Sequence, residues 1–107
     1  MTTGKPSAKR THAARGDAYE ELFIALAHPS RRLILMTLNF EGGEMGAGRI
    51  AALFEHAWPT TTRHLRVLEA ARLVRHERRG RERVYVIEKK RLELARDWLA
   101  WFFKKTG

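Results

Sequence analysis

Residues 50–87 read IAALFEHAWPTTTRHLRVLEAARLVRHERRGRERVYVI, and they are the most informative part of the sequence about the fold. Its apolar spacing predicts a helix, a turn and a second helix that Pro59 opens, followed by an arginine-rich hairpin centred on Gly80. A helix sized for the major groove beside a cationic hairpin is typical of small domains that hold duplex DNA, with the helix on base edges and the hairpin on phosphates. We therefore expect this segment to bind double-stranded DNA.

The second helix, over about residues 59–72, has an inward face and a polar outward face. Thr61, Leu65, Leu68 and Leu73 suit the inward face. Arginine can bond guanine O6 and N7 together, and threonine can bond a base or contact a thymine methyl. Trp58 is open to three interpretations: it reads DNA shape, packs on a sugar, or shields the turn. For His64 a structural role or a phosphate contact is expected. The candidate contacts here are Trp58, Thr60, Thr62, Arg63, His64 and Arg66.

The hairpin, over about residues 74–87, carries an excess of positive charge. Residues 72–83 contain six arginines against two glutamates, and Gly80 lies where a positive φ is needed. Like charges on adjacent strands repel, so a phosphate that neutralises them is the expected partner. Insertion into the minor groove is a second possibility. The candidate phosphate contacts are Arg78, Arg79, Arg81 and Arg83.

Composition narrows the class of protein. The chain has 107 residues, no cysteine and a formal net charge of +9, which fits one domain with a polyanionic partner. It contains no apolar run long enough for a membrane span and no apolar leader, so we expect a cytoplasmic protein with no membrane partner. No spacing typical of an enzyme active site is present, so we expect no catalytic residue and no cofactor. Residues 1–16 are predicted to be a flexible basic tail and residues 17–107 the folded domain.

The flanking segments predict further helices over about residues 17–27, 49–55 and 89–104, and one that begins at Pro29. The helix from Pro29 is apolar on most sides, which predicts a central position. A short strand is expected near Met45.

The last helix has a wider apolar arc than one core requires. Tryptophan and phenylalanine are favoured at interfaces, so a homodimer through the first and last helices is expected. A ligand pocket lined by the same rings is the alternative. The candidate interface residues are Tyr19, Leu22, Phe23, Leu94, Trp98, Leu99, Trp101 and Phe102.

Two motifs resemble the ArsR/SmtB family of bacterial repressors. LAHPSRRLIL at residues 26–35 is similar to the family's L-A-D-P-T-R-R-x-I-L, and RHLRVLEAARLV at residues 63–74 is similar to its R-H-L-K-V-L-R-E-A-G-L-V. The resemblance covers residues 21–102. It implies a winged helix-turn-helix, mainly α with a small β-hairpin, in which the first and last helices form the dimer. It also implies a transcriptional repressor that an effector releases from its operator.

The departures from the family pattern concern the effector. The family's metal-sensing thiols have no counterpart in residues 45–50, and the last helix has Asp97 but no histidine. The five histidines lie far apart in the sequence, so we expect no metal ligands, and the effector is left open. His28 stands where the family has an acidic helix cap. An alternative function of another class is a winged-helix interaction module whose basic hairpin binds an acidic protein.

Overall fold

The structure is a computed structural model that describes residues 18–104. The predicted tail, residues 1–16, lies outside the described residues. The first helix, α1, is described over residues 18–26. The other elements follow in the order α2 (Pro29–Phe40), β1 (Glu44–Gly46), α3 (Ala47–Ala51), α4 (Trp58–Ala70), β2 (Val74–Arg79), β3 (Glu82–Ile87) and α5 (Lys89–Trp101).

The three strands form one antiparallel sheet in the order β1-β3-β2. The short strand expected near Met45 is confirmed as β1, which adds a third strand to the predicted hairpin by pairing with β3. Strands β2 and β3 are joined by a two-residue turn, since Arg79 pairs with Glu82. Gly80 has a φ of +65° there, as the sequence predicted, because such tight turns require a left-handed residue.

The core lies between α1, α2, α4 and the sheet. Leu22, Ile34, Leu38, Leu68 and Leu73 have no exposed surface. The prediction that α2 is surrounded on most sides is only partly right: Leu35 is buried, but Leu33 and Met36 are exposed. One side of α2 therefore faces away from the core. No helix in the part of the chain that the structure describes is long and apolar enough to cross a membrane.

Two predicted helices end earlier than expected for the same reason. Helix α3 ends at Ala51 and not near residue 55, and α5 ends at Trp101 and not near residue 104. Beyond each end the backbone continues with bonds three residues apart, from Phe54 N–H to Ala51 O (3.2 Å) and from Phe103 N–H to Ala100 O (3.0 Å). Such bonds tighten the last turn of a helix, and apolar periodicity does not reveal them.

Helix α4 is followed by a left-handed residue that is not glycine. Arg72 has a φ of +62°. Its N–H bonds Glu69 O (2.9 Å), and the N–H of Leu73 bonds Leu68 O (2.9 Å), which is the Schellman pattern. Leu73 therefore lies just beyond the helix and not on its inward face as predicted, although it is fully buried. The related family motif has glycine at the position of Arg72.

We expect Arg72→Gly to raise the free energy of unfolding by about 0.5–1 kcal/mol. The left-handed conformation costs a residue with a Cβ roughly 1–2 kcal/mol, and the greater freedom of glycine in the unfolded chain offsets part of the gain. Urea unfolding measures the effect. Arg72→Ala is the control, because it removes the charge and keeps the Cβ. Equal stability of the two variants would show that the backbone conformation is not the cause.

Candidate nucleic-acid interface

Helix α4 is oriented by its buried inner face. Leu65, Leu68 and Thr61 are buried in the core, which confirms the predicted inward positions. The opposite face leaves Arg63 and Arg66 exposed, while Thr60 and Thr62 are half-buried. Trp58 begins the helix and is also exposed. The first turn therefore presents arginine, threonine and one flat aromatic ring to solvent.

An open cleft of about 640 Å³ lies between the start of α4 and the β2–β3 hairpin. It joins residues that are separated in the sequence and were predicted independently as contacts. Thr60, Arg63, His64 and Arg66 do not line it. Its predicted members are Trp58, Thr62, Arg78, Arg79, Arg81 and Arg83.

Ala47 and Gly48, at the start of α3, also line the cleft, and sequence analysis missed both. No signal pointed to them, because neither has a polar side chain. A Cβ added at Gly48 would meet nothing within 4 Å, so there is free space beside Gly48 in the cleft.

One face of the hairpin is neutralised internally. Arg79 forms a bidentate pair with Glu44 of β1 and also contacts Glu77 (3.1 Å). Arg75 contacts Glu77 (2.8 Å) and Glu88 (2.7 Å). The hydrogen bond from Arg79 holds the pKa of Glu44 below its usual value, and the bonds from Arg75 and Arg79 do the same for Glu77. These carboxylates are therefore ionised at neutral pH and hold both arginines.

The other face of the hairpin carries arginines that no ion pair neutralises within residues 18–104. Arg78 and Arg83 are direct partners across the two strands. Neither forms a salt bridge among the described residues, and the same is true of Arg81 in the turn. Two guanidinium groups that face each other across a ladder repel, and an anion placed between them would remove the repulsion.

One predicted contact must be corrected, and a second stays a prediction. His64 is only 6% exposed and contacts Arg31 inside the domain, so it cannot reach DNA without a change in structure. Arg79 is exposed, but two carboxylates compete for it, so it is a poor phosphate ligand in this state. Sequence alone could not separate Arg79 from Arg78, because the distinction depends on Glu44, 35 positions away.

The residues predicted to form the dimer interface include some that are buried within the domain and some that are exposed. Leu22 has no exposed surface and is removed from the interface, because it packs in the domain's own core. Phe23 packs edge-on against Trp98, with ring centroids 5.1 Å apart, so α1 supports the end of α5. Tyr19 stacks on Phe23, and Leu94 is partly buried against the core. The exposed apolar residues at the end of α5, which we call the aromatic patch, are Trp98, Leu99, Trp101, Phe102 and Phe103.

The histidines are far apart in the sequence, but three of them lie close together in the structure. The rings of His28 and His64 have centroids 4.4 Å apart, and those of His56 and His64 are 5.8 Å apart. No group of three or more histidine, cysteine, aspartate or glutamate side chains within residues 18–104 is arranged to hold a metal ion.

Three comparisons with known proteins agree with each other. The model of the family described as "Bacterial regulatory protein, arsR family" matches residues 28–76. The chain is 33% identical over 84 residues to the transcriptional repressor SdpR of Bacillus subtilis (strain 168), covering 78% of this chain and 91% of the relative.

Solved structures give the same result. A crystal structure of an ArsR family transcriptional regulator is 32% identical with a TM-score of 0.72, covering 78% of this chain and 89% of the other. A solution structure from Mycobacterium bovis, a homodimeric winged helix-turn-helix DNA-binding domain and possible ArsR-family regulator, is 28% identical with a TM-score of 0.68. It covers 78% of this chain and 76% of the other.

Proposed function

The chain belongs to the ArsR family of bacterial regulatory proteins, and we therefore propose that it represses transcription by binding duplex DNA as a homodimer. In this proposal α4 enters the major groove and the β2–β3 hairpin is the wing that lies on the backbone. The name of the relative SdpR, a transcriptional repressor, supports repression, and the homodimeric domain from Mycobacterium bovis supports the homodimer.

The observation that carries the proposal is the cleft between α4 and the wing. One wall presents Trp58 and Thr62, and the other presents Arg78, Arg81 and Arg83. Hydroxyl and aromatic groups suit base edges and sugars, while unpaired guanidinium groups suit phosphate. A protein that binds only an acidic partner has no need for a helix face of this kind beside the charges.

The aromatic patch supports the dimer. Large apolar side chains grouped on one surface of a soluble domain mark an interaction site. In the homodimer the patch of one protomer packs on that of its partner, and two α4 helices then face the same side of one duplex. Because the chain has no cysteine and α5 has no histidine, we propose that DNA binding needs no metal.

A salt series on random duplex DNA tests the function. We expect wild-type affinity to fall steeply with salt, because each phosphate contact releases a counterion. Arg83→Ala should reduce the slope of log affinity against log salt by about one for each phosphate that the side chain neutralises. Arg79→Ala is the matched control in the same wing, and it should change the slope much less because Glu44 and Glu77 already hold that arginine.

Two outcomes would contradict the proposal. An absence of binding to duplex DNA at low salt would leave the acidic-protein alternative as the better explanation. A slope that falls equally in Arg79→Ala and Arg83→Ala would show that the internal ion pairs do not set which arginines meet phosphate.

A further inference from the structure

Three imidazole rings that are distant in the sequence meet behind the inner face of α4. His28 caps α2, His56 lies in the turn before α4, and His64 is buried on α4 itself. The ring of His64 lies between the other two, with centroids 4.4 Å from His28 and 5.8 Å from His56. We call these rings the imidazole cluster.

Arg31 connects the cluster to two other helices. Its Nε donates to Ala25 O (2.9 Å) and its Nη2 to Ile24 O (2.9 Å), both at the end of α1. Its Nη1 lies 3.1 Å from Nδ1 of His64. A guanidinium can only donate, so Nδ1 of His64 must accept and the ring must be neutral with its hydrogen on Nε2. This contact joins α1, α2 and α4.

His28 and His56 are held beside His64 by contacts of their own. The backbone N–H of Ser30 donates to Nδ1 of His28 (3.1 Å), which caps α2. His56 stacks on Phe54 at 4.6 Å, and its Nε2 is buried without a hydrogen-bond partner in the described part of the chain. The Oγ1 of Thr61 lies 3.4 Å from Nδ1 of His56.

The groups that face His64 are all neutral or positive. Helix α1 contributes two carbonyl oxygens that Arg31 already bonds, α2 contributes His28 and Arg31, and the turn contributes His56. Arg63 is the adjacent charge on α4. Burial lowers the pKa of His64, and His28, Arg31, His56 and Arg63 lower it further. No carboxylate pairs with His28, His56, His64 or Arg31 among the described residues.

We propose that the imidazole cluster is a proton-sensitive latch centred on His64, which holds α4 in its DNA-binding position while the His64 ring is neutral and releases it when that ring gains a proton. A proton on Nδ1 of His64 would point a donor at the donor of Arg31 and break the contact that joins α1, α2 and α4. The inference that DNA binding follows the latch rests on the proposed function.

The direction of the pH effect follows from the lowered pKa of His64. The unfolded chain takes up the proton first, near the ordinary histidine value of about 6.5. The contribution of His64 to the free energy of unfolding is therefore fully present above that pH and is lost as the pH falls below it. This direction is opposite to that of simple electrostatics, because histidines that gain charge should tighten binding to phosphate.

Binding to random duplex DNA at fixed ionic strength, between about pH 7.5 and pH 5.5, tests the latch. We expect wild-type affinity to weaken on acidification, because protonation of His64 releases α4 from its DNA-binding position. His28→Asn keeps a good helix cap and removes one ring, so it should lose much less affinity. His76→Asn, on the wing and outside the cluster, is the matched control and should keep the wild-type loss.

Two measurements without DNA separate this proposal from the proposed function. In the wild-type protein, the ring signal of His64 in an NMR titration should move to a lower pH in the folded chain than in the urea-unfolded chain. The free energy of unfolding should fall on acidification, and less so in His28→Asn. If the protein binds no DNA at any pH, the proposed function fails while these readouts still support or overturn the latch.

Three results would overturn the latch: tighter wild-type binding at acid pH, an acid loss in His28→Asn equal to that of wild type, or a His64 titration that is the same in the folded and unfolded chains. If the His28→Asn protein does not fold, the latch is tested by the His64 titration in the wild-type protein and by the comparison with His76→Asn.

Discussion

Leu99→Asp is expected to convert the proposed homodimer into a folded monomer. Leu99 is 53% exposed in the single chain and lies within the aromatic patch. A carboxylate at this position costs little in the monomer, but in the dimer it would be buried without a partner. We expect the dissociation constant of the dimer to rise by at least about a hundredfold, or roughly 2.7 kcal/mol. Light scattering at micromolar concentration measures the change in mass.

Phe40→Asp provides the matched control. Phe40 is 86% exposed, more than Leu99, but it ends α2 beside the loop to β1 and not on the patch. The variant should remain dimeric, because removing an exposed apolar ring matters only where a partner covers it. A wild-type protein of single-chain mass at all concentrations would contradict the dimer. A Phe40→Asp monomer would instead place the interface on α2.

Arg63→Ala is expected to weaken binding to the preferred DNA sequence by about 1–3 kcal/mol for each base that the arginine contacts, and to relax the sequence preference. Arg63 is exposed on the face of α4 opposite the buried Thr61, Leu65 and Leu68. A bidentate arginine discriminates guanine from the other bases, whereas a phosphate contact carries no sequence information. The ratio of specific to random affinity measures the difference.

Arg81→Ala, in the turn of the wing, is the comparison for Arg63→Ala. It should weaken specific and random DNA to a similar extent, because we place it on the backbone. A change of sequence preference in Arg81→Ala would instead indicate that the wing enters the minor groove. The assignment of α4 as the reading helix fails if Arg63→Ala leaves affinity and preference unchanged in a folded dimer.

The elements that could be predicted from sequence are those with local causes. The helix-turn-helix follows from apolar spacing and Pro59, and the wing turn follows from Gly80 at the centre of a charged hairpin. The family motifs also gave the fold correctly: residues 63–74 run from the second helix of this segment to the start of β2, whereas residues 26–35 span the end of α1 and the start of α2. Helix ends were less accurate, since bonds such as that from Phe103 N–H to Ala100 O depend on the backbone beyond the last periodic residue.

The parts that could not be predicted depend on contacts between distant residues. Nothing in the sequence distinguishes Arg79 from Arg78. The two differ because Arg79 pairs with Glu44 on another strand. His64 occupies a motif position on α4, and only the packing of α1 and α2 against that helix buries it on Arg31. Leu22 shares an apolar stripe with Phe23, but only the folded chain shows that it has no surface left for a partner.

Selection of bound sequences from a random duplex pool tests most directly the claim that two copies of α4 read DNA together. We expect the wild-type protein to enrich a two-fold symmetric site, with half-site centres one helical turn apart, about 10–10.5 base pairs, or a multiple of that spacing. Guanine should be preferred at a position that loses its preference in Arg63→Ala. A pool that shows no enrichment while the protein binds random duplex DNA would contradict the account, as would a single half-site bound by a monomer.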